Sequence, residues 1–168
     1  FFGTLNITRA VLPIMRAQRQ GHIVTVSALV GIVGAPFISI FSASKFALEG
    51  WMDSLASEVE PFGIMTTLVE PGAFRTKPVK DRGRSVFPEI DIADYAEATE
   101  KNTASVKDFN GKEPGHREKL ASAFLAVVDR EKPPKRWVAG EDAVEGIIAK
   151  GRQLIADADA FSELSARL

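Results

Sequence analysis

Two β-branched runs, "GHIVTVSA" at 21–28 and "GIMTTLVEPG" at 63–72, stand on either side of one long helical segment. Each is short, apolar and entered through glycine, as expected of buried strands. From about Ser39 to Pro61 the chain reads as a helix, with Phe46, Leu48, Trp51, Leu55 and Val59 as its apolar content. Strand, helix, strand is the grammar of a parallel sheet with helical crossovers.

The rest of the chain extends that grammar. Residues 3–19 predict a helix, with Leu5, Val11, Leu12 and Met15 near helical spacing and a kink expected at Pro13. "LVGIVGAPF" is a glycine-punctuated loop. Residues 77–119 are charged and irregular around Pro78, Pro88 and Pro114, with a helix expected over 92–108. A strongly amphipathic helix follows at 117–130, then a short strand at 136–138. A last helix runs over 140–164, with a break expected near Gly151 or Asp157. The fold class is therefore α/β, with three parallel strands (about 22–28, 64–70 and 136–138) and about five helices. Three strands with that much helix look like the second half of something larger.

Composition excludes several functions. The 168 residues carry 21 Lys+Arg against 22 Asp+Glu, so a polyanionic partner such as nucleic acid is not expected. There is no cysteine, which removes disulfides and thiolate metal sites, and His22 and His116 are too few for a histidine-rich site. No apolar run reaches the ~18–20 residues of a membrane span. The expected location is cytoplasmic, since no signal-type leader opens the chain.

The chemistry gathers at "FSASKFALEG", 41–50. Phe41 and Lys45 lie one helical turn apart and share a face. Together with "FFGTLNITRAVLPIMRAQRQGHIVTVSA" before it and "VEPGAFRT" after it, in this order and spacing, this stretch resembles the short-chain dehydrogenase/reductase family along essentially the whole chain. The resemblance implies the C-terminal portion of a doubly wound, Rossmann-like domain spanning 1–168, with its N-terminal cofactor-binding half absent. It makes 77–130 a variable, substrate-covering segment. It also implies NAD or NADP as cofactor and a small carbonyl or alcohol as substrate. A homo-oligomer built through helices 3–19 and 39–61 is expected, with Phe46 and Trp51 in its interface.

In the family a tyrosine one turn before the lysine is the general acid/base. The lysine lowers its pKa from the ordinary value of about 10 and holds the nicotinamide ribose. A serine thirteen positions earlier orients the substrate oxygen. Here the tyrosine position is Phe41, the serine position is Ala28, and Lys45 alone remains. Ser27 is adjacent, but neighbouring strand residues point to opposite faces. The Pro-Gly-x-x-x-Thr turn gives Pro71, Gly72 and Thr76 as cofactor contacts by resemblance. The glycine-rich pyrophosphate turn has no counterpart, because Gly31 and Gly34 have the wrong spacing. Both hydroxyl losses point to a chain inactive as it stands, or to a non-catalytic scaffold that binds a nucleotide or a partner.

Plainer roles compete at several positions. Ser27 and Ser39 suit strand and helix-cap roles. Tyr95, the only tyrosine, lies in the variable segment. His22 and His116 suit surface roles. The apolar residues from Val79 to Tyr95 suit a substrate lid or simple packing.

Overall fold

The computed structural model describes residues 1–75 and 92–167. Helix α1 (Phe2–Gln18) leads into strand β1 (Gly21–Val26), and α2 (Ser39–Val59) crosses over to β2 (Ile64–Pro71). β5 (Arg136–Ala139) completes a three-stranded sheet of order β1-β2-β5, parallel throughout. Gly21 pairs with Ile64 and Val26 with Val69; Leu68 pairs with Arg136 and Pro71 with Ala139. The expected parallel core is present.

Why α2 is a crossover helix follows from its buried face. Leu48, Met52, Leu55 and Val59 recur every three or four residues and are buried, with Ala56 buried beside them. Met52, Leu55 and Val59 join Ile23 of β1 and Ile64 and Leu68 of β2 in one core cluster, with Leu12, Met15, Trp51 and Phe62 packed against it. The helix ends where Pro61 cannot continue it, in a 3₁₀ turn over Glu60–Phe62. Gly63 then reverses the chain at φ 71°, and a Cβ there would strike the Arg19 carbonyl at the end of α1. That contact seats the start of β2 beside the start of β1.

Several expectations need correction. β1 ends at Val26, not at residue 28: Ser27 N still donates to Val69 O at 2.8 Å, but Ala28 opens a 3₁₀ turn over Leu29–Gly31. A second, two-stranded parallel sheet exists, β3 (Phe74–Arg75) with β4 (Gly115–His116). It was not expected, because two residues carry no alternation. The ring of Phe74 lies over Gly115, where a Cβ would collide with it. His116 therefore sits on a strand rather than in a loop. His22 is on β1, half-buried, with Nε2 2.9 Å from Thr67 Oγ1. Thr67 gives its one proton to Pro134 O at 2.7 Å, so the imidazole is the donor.

Among the remaining helices, α3 (Ala96–Phe109) follows a 3₁₀ turn at Ala93–Tyr95, and α4 is Arg117–Val128. Helix α5 (Glu141–Ala160) passes Gly151 and Asp157 unbroken and ends at Phe161, before the short α6 (Ser162–Ser165). Helix α1 likewise continues through Pro13. Thr76 and the 77–91 part of the expected variable segment lie outside the described residues. Among the described residues no helix is long and apolar enough to cross a membrane.

Candidate active site

The site forms where the carboxyl end of β1 meets the start of α2. Residues 36–41 leave the loop and enter α2 with Phe37 at φ 64°, an uncommon conformation for a bulky residue. Ile38, not Ser39, is the N-cap, and no side chain caps the helix. Phe41 lies in the first turn, half exposed at 49%. Lys45 follows one turn later and reaches back to β1, donating from Nζ to Val26 O at 3.0 Å. Its ammonium stands 5.7 Å from the centre of the Phe41 ring, within cation–π reach.

Lys45 is therefore not a freely solvated helix lysine. Burial pushes its pKa down, and the charge of Glu49, one turn further along α2, acts against that fall. Ala28 lies two residues beyond the carbonyl that Lys45 holds, as the N-cap of the 3₁₀ turn. Phe41, Lys45 and the approach to Ala28 are thus brought to one edge of the sheet, the carboxyl edge, where doubly wound sheets place ligands. Nothing on these three positions offers a hydroxyl.

Ser27 does not make up the loss. Its side chain is buried and turned toward α2, where a Cβ on Gly31 would meet Ser27 Oγ at 2.7 Å and Glu49 Oε1 at 3.0 Å. The same contacts explain Gly31: it is a packing glycine beneath the helix, not an open phosphate cradle. Tyr95 is 61% exposed on its 3₁₀ turn.

Pro71 and Gly72 end β2 beside β5. Gly72 N donates to Ala139 O at 2.9 Å, and Ala73 N donates to Asp142 Oδ2 at 2.6 Å. Asp142 belongs to the first turn of α5 and so ties this loop to that helix. Sequence reading missed Asp142, although an acidic residue in a helix's first turn is a recognisable signal. It also missed the meeting of buried Glu49 and Glu70 with half-buried Arg136 behind the lysine.

The model of the short chain dehydrogenase family matches residues 1–86, which include α1, β1, α2, β2 and the positions Ala28, Phe41, Lys45, Pro71 and Gly72. The chain belongs to the short-chain dehydrogenase family. A 3-ketodihydrosphingosine reductase of Bacteroides thetaiotaomicron is 37% identical over 159 residues, covering 94% of this chain and 57% of the relative. A short-chain dehydrogenase from Streptomyces avermitilis superposes with a TM-score of 0.82 at 34% identity, covering 99% of this chain and 59% of that one. A short-chain dehydrogenase from Burkholderia cenocepacia, solved in complex with NADP, gives a TM-score of 0.58 at 28% identity and covers 100% of this chain and 55% of its own. The chain thus spans less than two thirds of the length of these short-chain dehydrogenases. It has the oxidoreductase family's Rossmann-like α/β fold, and the family's nucleotide use is represented by the NADP-bound Burkholderia structure.

The residues present fit a nicotinamide nucleotide in part. Lys45 Nζ has N–H groups beyond the one given to Val26 O, which suits ribose hydroxyls. The backbone N–H groups of Gly72 and Ala73 are already engaged by Ala139 and Asp142, and Ala73 O accepts from Gly115 N at 3.1 Å, so those two N–H groups are not free donors for a nucleotide.

Proposed function

We propose that this chain is part of an NAD(P)-dependent oxidoreductase that interconverts a carbonyl compound and an alcohol, and that its own cleft, as it stands, lacks the proton-transfer group. The observation that carries this reading is Lys45 held at the strand end by Val26 O with a phenylalanine ring, not a phenol, beside it. A bound nicotinamide would supply or accept the hydride. Lys45 would hold the ribose, Pro71 and Gly72 would face the nicotinamide, and Thr76 is a cofactor contact by resemblance alone. The Bacteroides relative is by name a reductase of a ketone, which supports carbonyl reduction as the reaction.

The missing hydroxyls decide how fast. Loss of a positioned acid/base typically costs ~10²–10⁴ in rate, and Ala28 removes the group that would orient the substrate oxygen. Assays of NADH and NADPH consumption against carbonyl substrates are expected to show no turnover above background for the starting protein. Rapid turnover would overturn this reading.

The same two losses support a second reading, a non-catalytic scaffold that binds a nucleotide or a partner. Nucleotide binding without turnover is its signature. Exposed Phe2, Ile7 and Ile14 on α1 and Phe46 on α2 support self-association through these helices. Trp51 is instead half-buried, with the Phe1 ring edge-on at 6.2 Å. β1 pairs only with β2 among the described residues, and Val26 is 53% exposed, so the sheet is open on that side to further strands.

A further inference from the structure

Behind Lys45 lies a buried cluster for which the proposed reaction has no use. Glu70 on β2 is fully buried and Glu49 on α2 nearly so, at 0% and 5% exposure. Both meet Nη1 of Arg136 on β5: Glu49 Oε2 stands at 2.5 Å, and Glu70 Oε1 is in direct contact. Arg136 Nη2 reaches Asp53 Oδ1 at 3.0 Å. A single guanidinium nitrogen thus touches two carboxyls and sets them side by side.

Three carboxyls around one guanidinium leave excess negative charge, and two of the three are away from water. Like charges in contact without solvent cannot both stay ionised. The oxygens turned from Arg136, Glu49 Oε1 and Glu70 Oε2, have no hydrogen-bond partner among the described residues, and neither has the buried Ser27 Oγ. Ser27 Oγ and Glu49 Oε1 converge over the bare Cα of Gly31. Ionised carboxylate oxygens can only accept, and the Ser27 hydroxyl has one proton for the two of them, so a proton on the pair supplies the second donor.

We propose that Glu49 and Glu70 share a single proton against Arg136, and that this pair sets the charge felt by Lys45. Lys45 and Glu49 share a face of α2, one turn apart. The groups facing the pair are Lys45 and Asp53 from α2, Arg136 from β5 and the Ser27 hydroxyl just after β1. Burial and the charge of Glu49 push the Glu70 carboxyl up to about 7, with Arg136 opposing. Loss of the shared proton adds one negative charge to the cluster and favours the Lys45 ammonium. Glu49 is then a positioning residue for Lys45, acting through charge. The inference concerns the chain's own charges and does not depend on nucleotide binding.

The test is a titration of the 168-residue chain, labelled with carbon-13 at glutamate Cδ and lysine Cε, by NMR from about pH 5 to about pH 9. The Glu70 Cδ signal is expected to titrate near pH 7, with the Glu49 Cδ signal moving at the same midpoint, and this step is expected to vanish in Glu70→Gln. Glu49→Gln should lower that midpoint by at least about one pH unit, because it removes the neighbouring charge. The Lys45 Cε signal should show a small step at the same midpoint, absent in Glu70→Gln. If every glutamate of the unsubstituted chain titrates below about pH 5.5, there is no shared proton. That measurement stands even where a variant fails to fold. A Lys45 signal that ignores the glutamate step overturns the coupling.

Discussion

Replacing Glu70 by glutamine should flatten the pH dependence of stability. Glu70 is completely buried, and its carboxyl rises from the ordinary 4.5 to about 7, first through burial, then through the charge of Glu49, with Arg136 pulling it back. Such a group binds its proton more tightly in the folded state. Its contribution to stability is whole below about 4.5 and is lost as pH climbs through about 7. At about 1.4 kcal/mol per pH unit, that span corresponds to roughly 3 kcal/mol. His22 works in the opposite sense: burial lowers its pKa, so its contribution grows as pH rises toward the ordinary imidazole value. Comparing Glu70→Gln with the unsubstituted chain removes His22 from the account, because it is common to both. Glutamine keeps the shape, and Arg136 retains Glu49 and Asp53. Urea unfolding at a series of pH values should show the unsubstituted chain losing up to roughly 3 kcal/mol relative to the variant between about pH 4.5 and about pH 8. Parallel stability curves, or a relative gain by the unsubstituted chain, would refute the reasoning.

Other expectations follow from packing and site geometry. Leu68→Ala, at a position 2% exposed between the sheet and α2, should cost about 2–5 kcal/mol in urea unfolding. Gly63→Ala should cost more than about 1 kcal/mol, because φ 71° and the Arg19 carbonyl both oppose a side chain; an unchanged unfolding midpoint would contradict that contact. Asp142→Ala should speed hydrogen exchange at the Ala73 amide, whose partner it removes. Calorimetric titration of the 168-residue chain with NADH or NADPH should show weak binding or none, and micromolar affinity would overturn that expectation.

The βαβ core was legible because its signals are long and periodic. β1, α2 and β2 lie where the β-branched runs and the apolar stripe of α2 put them, and β5 pairs parallel as expected. The β3–β4 pair was not legible, since two-residue strands have no period and their pairing depends on Phe74 finding Gly115 across the chain. The break expected in the last helix near Gly151 or Asp157 is absent, because Gly151 weakens a helix without having to break it. Around the site, the shared face of Phe41 and Lys45 could be read from spacing. The Val26 carbonyl that anchors Lys45, and the meeting of Glu49, Glu70 and Arg136, could not. Those contacts join residues distant in sequence, and only the strand order β1-β2-β5 brings them together.

The central claim is that Phe41 and Ala28 mark a reaction centre from which two hydroxyls are missing, with Lys45 still in place. The direct measurement is NADH and NADPH consumption against a panel of carbonyl substrates. It compares the starting protein, Ala28→Ser, Phe41→Tyr and the double variant, in this chain and in any longer form that binds the nucleotide. Acid/base and orienting groups act as a unit, so the double variant should exceed either single variant by far more than their separate gains suggest, approaching the ~10²–10⁴ of a restored acid/base. A starting protein that already turns over as fast as the double variant would contradict the account, and the proton would have to come from elsewhere.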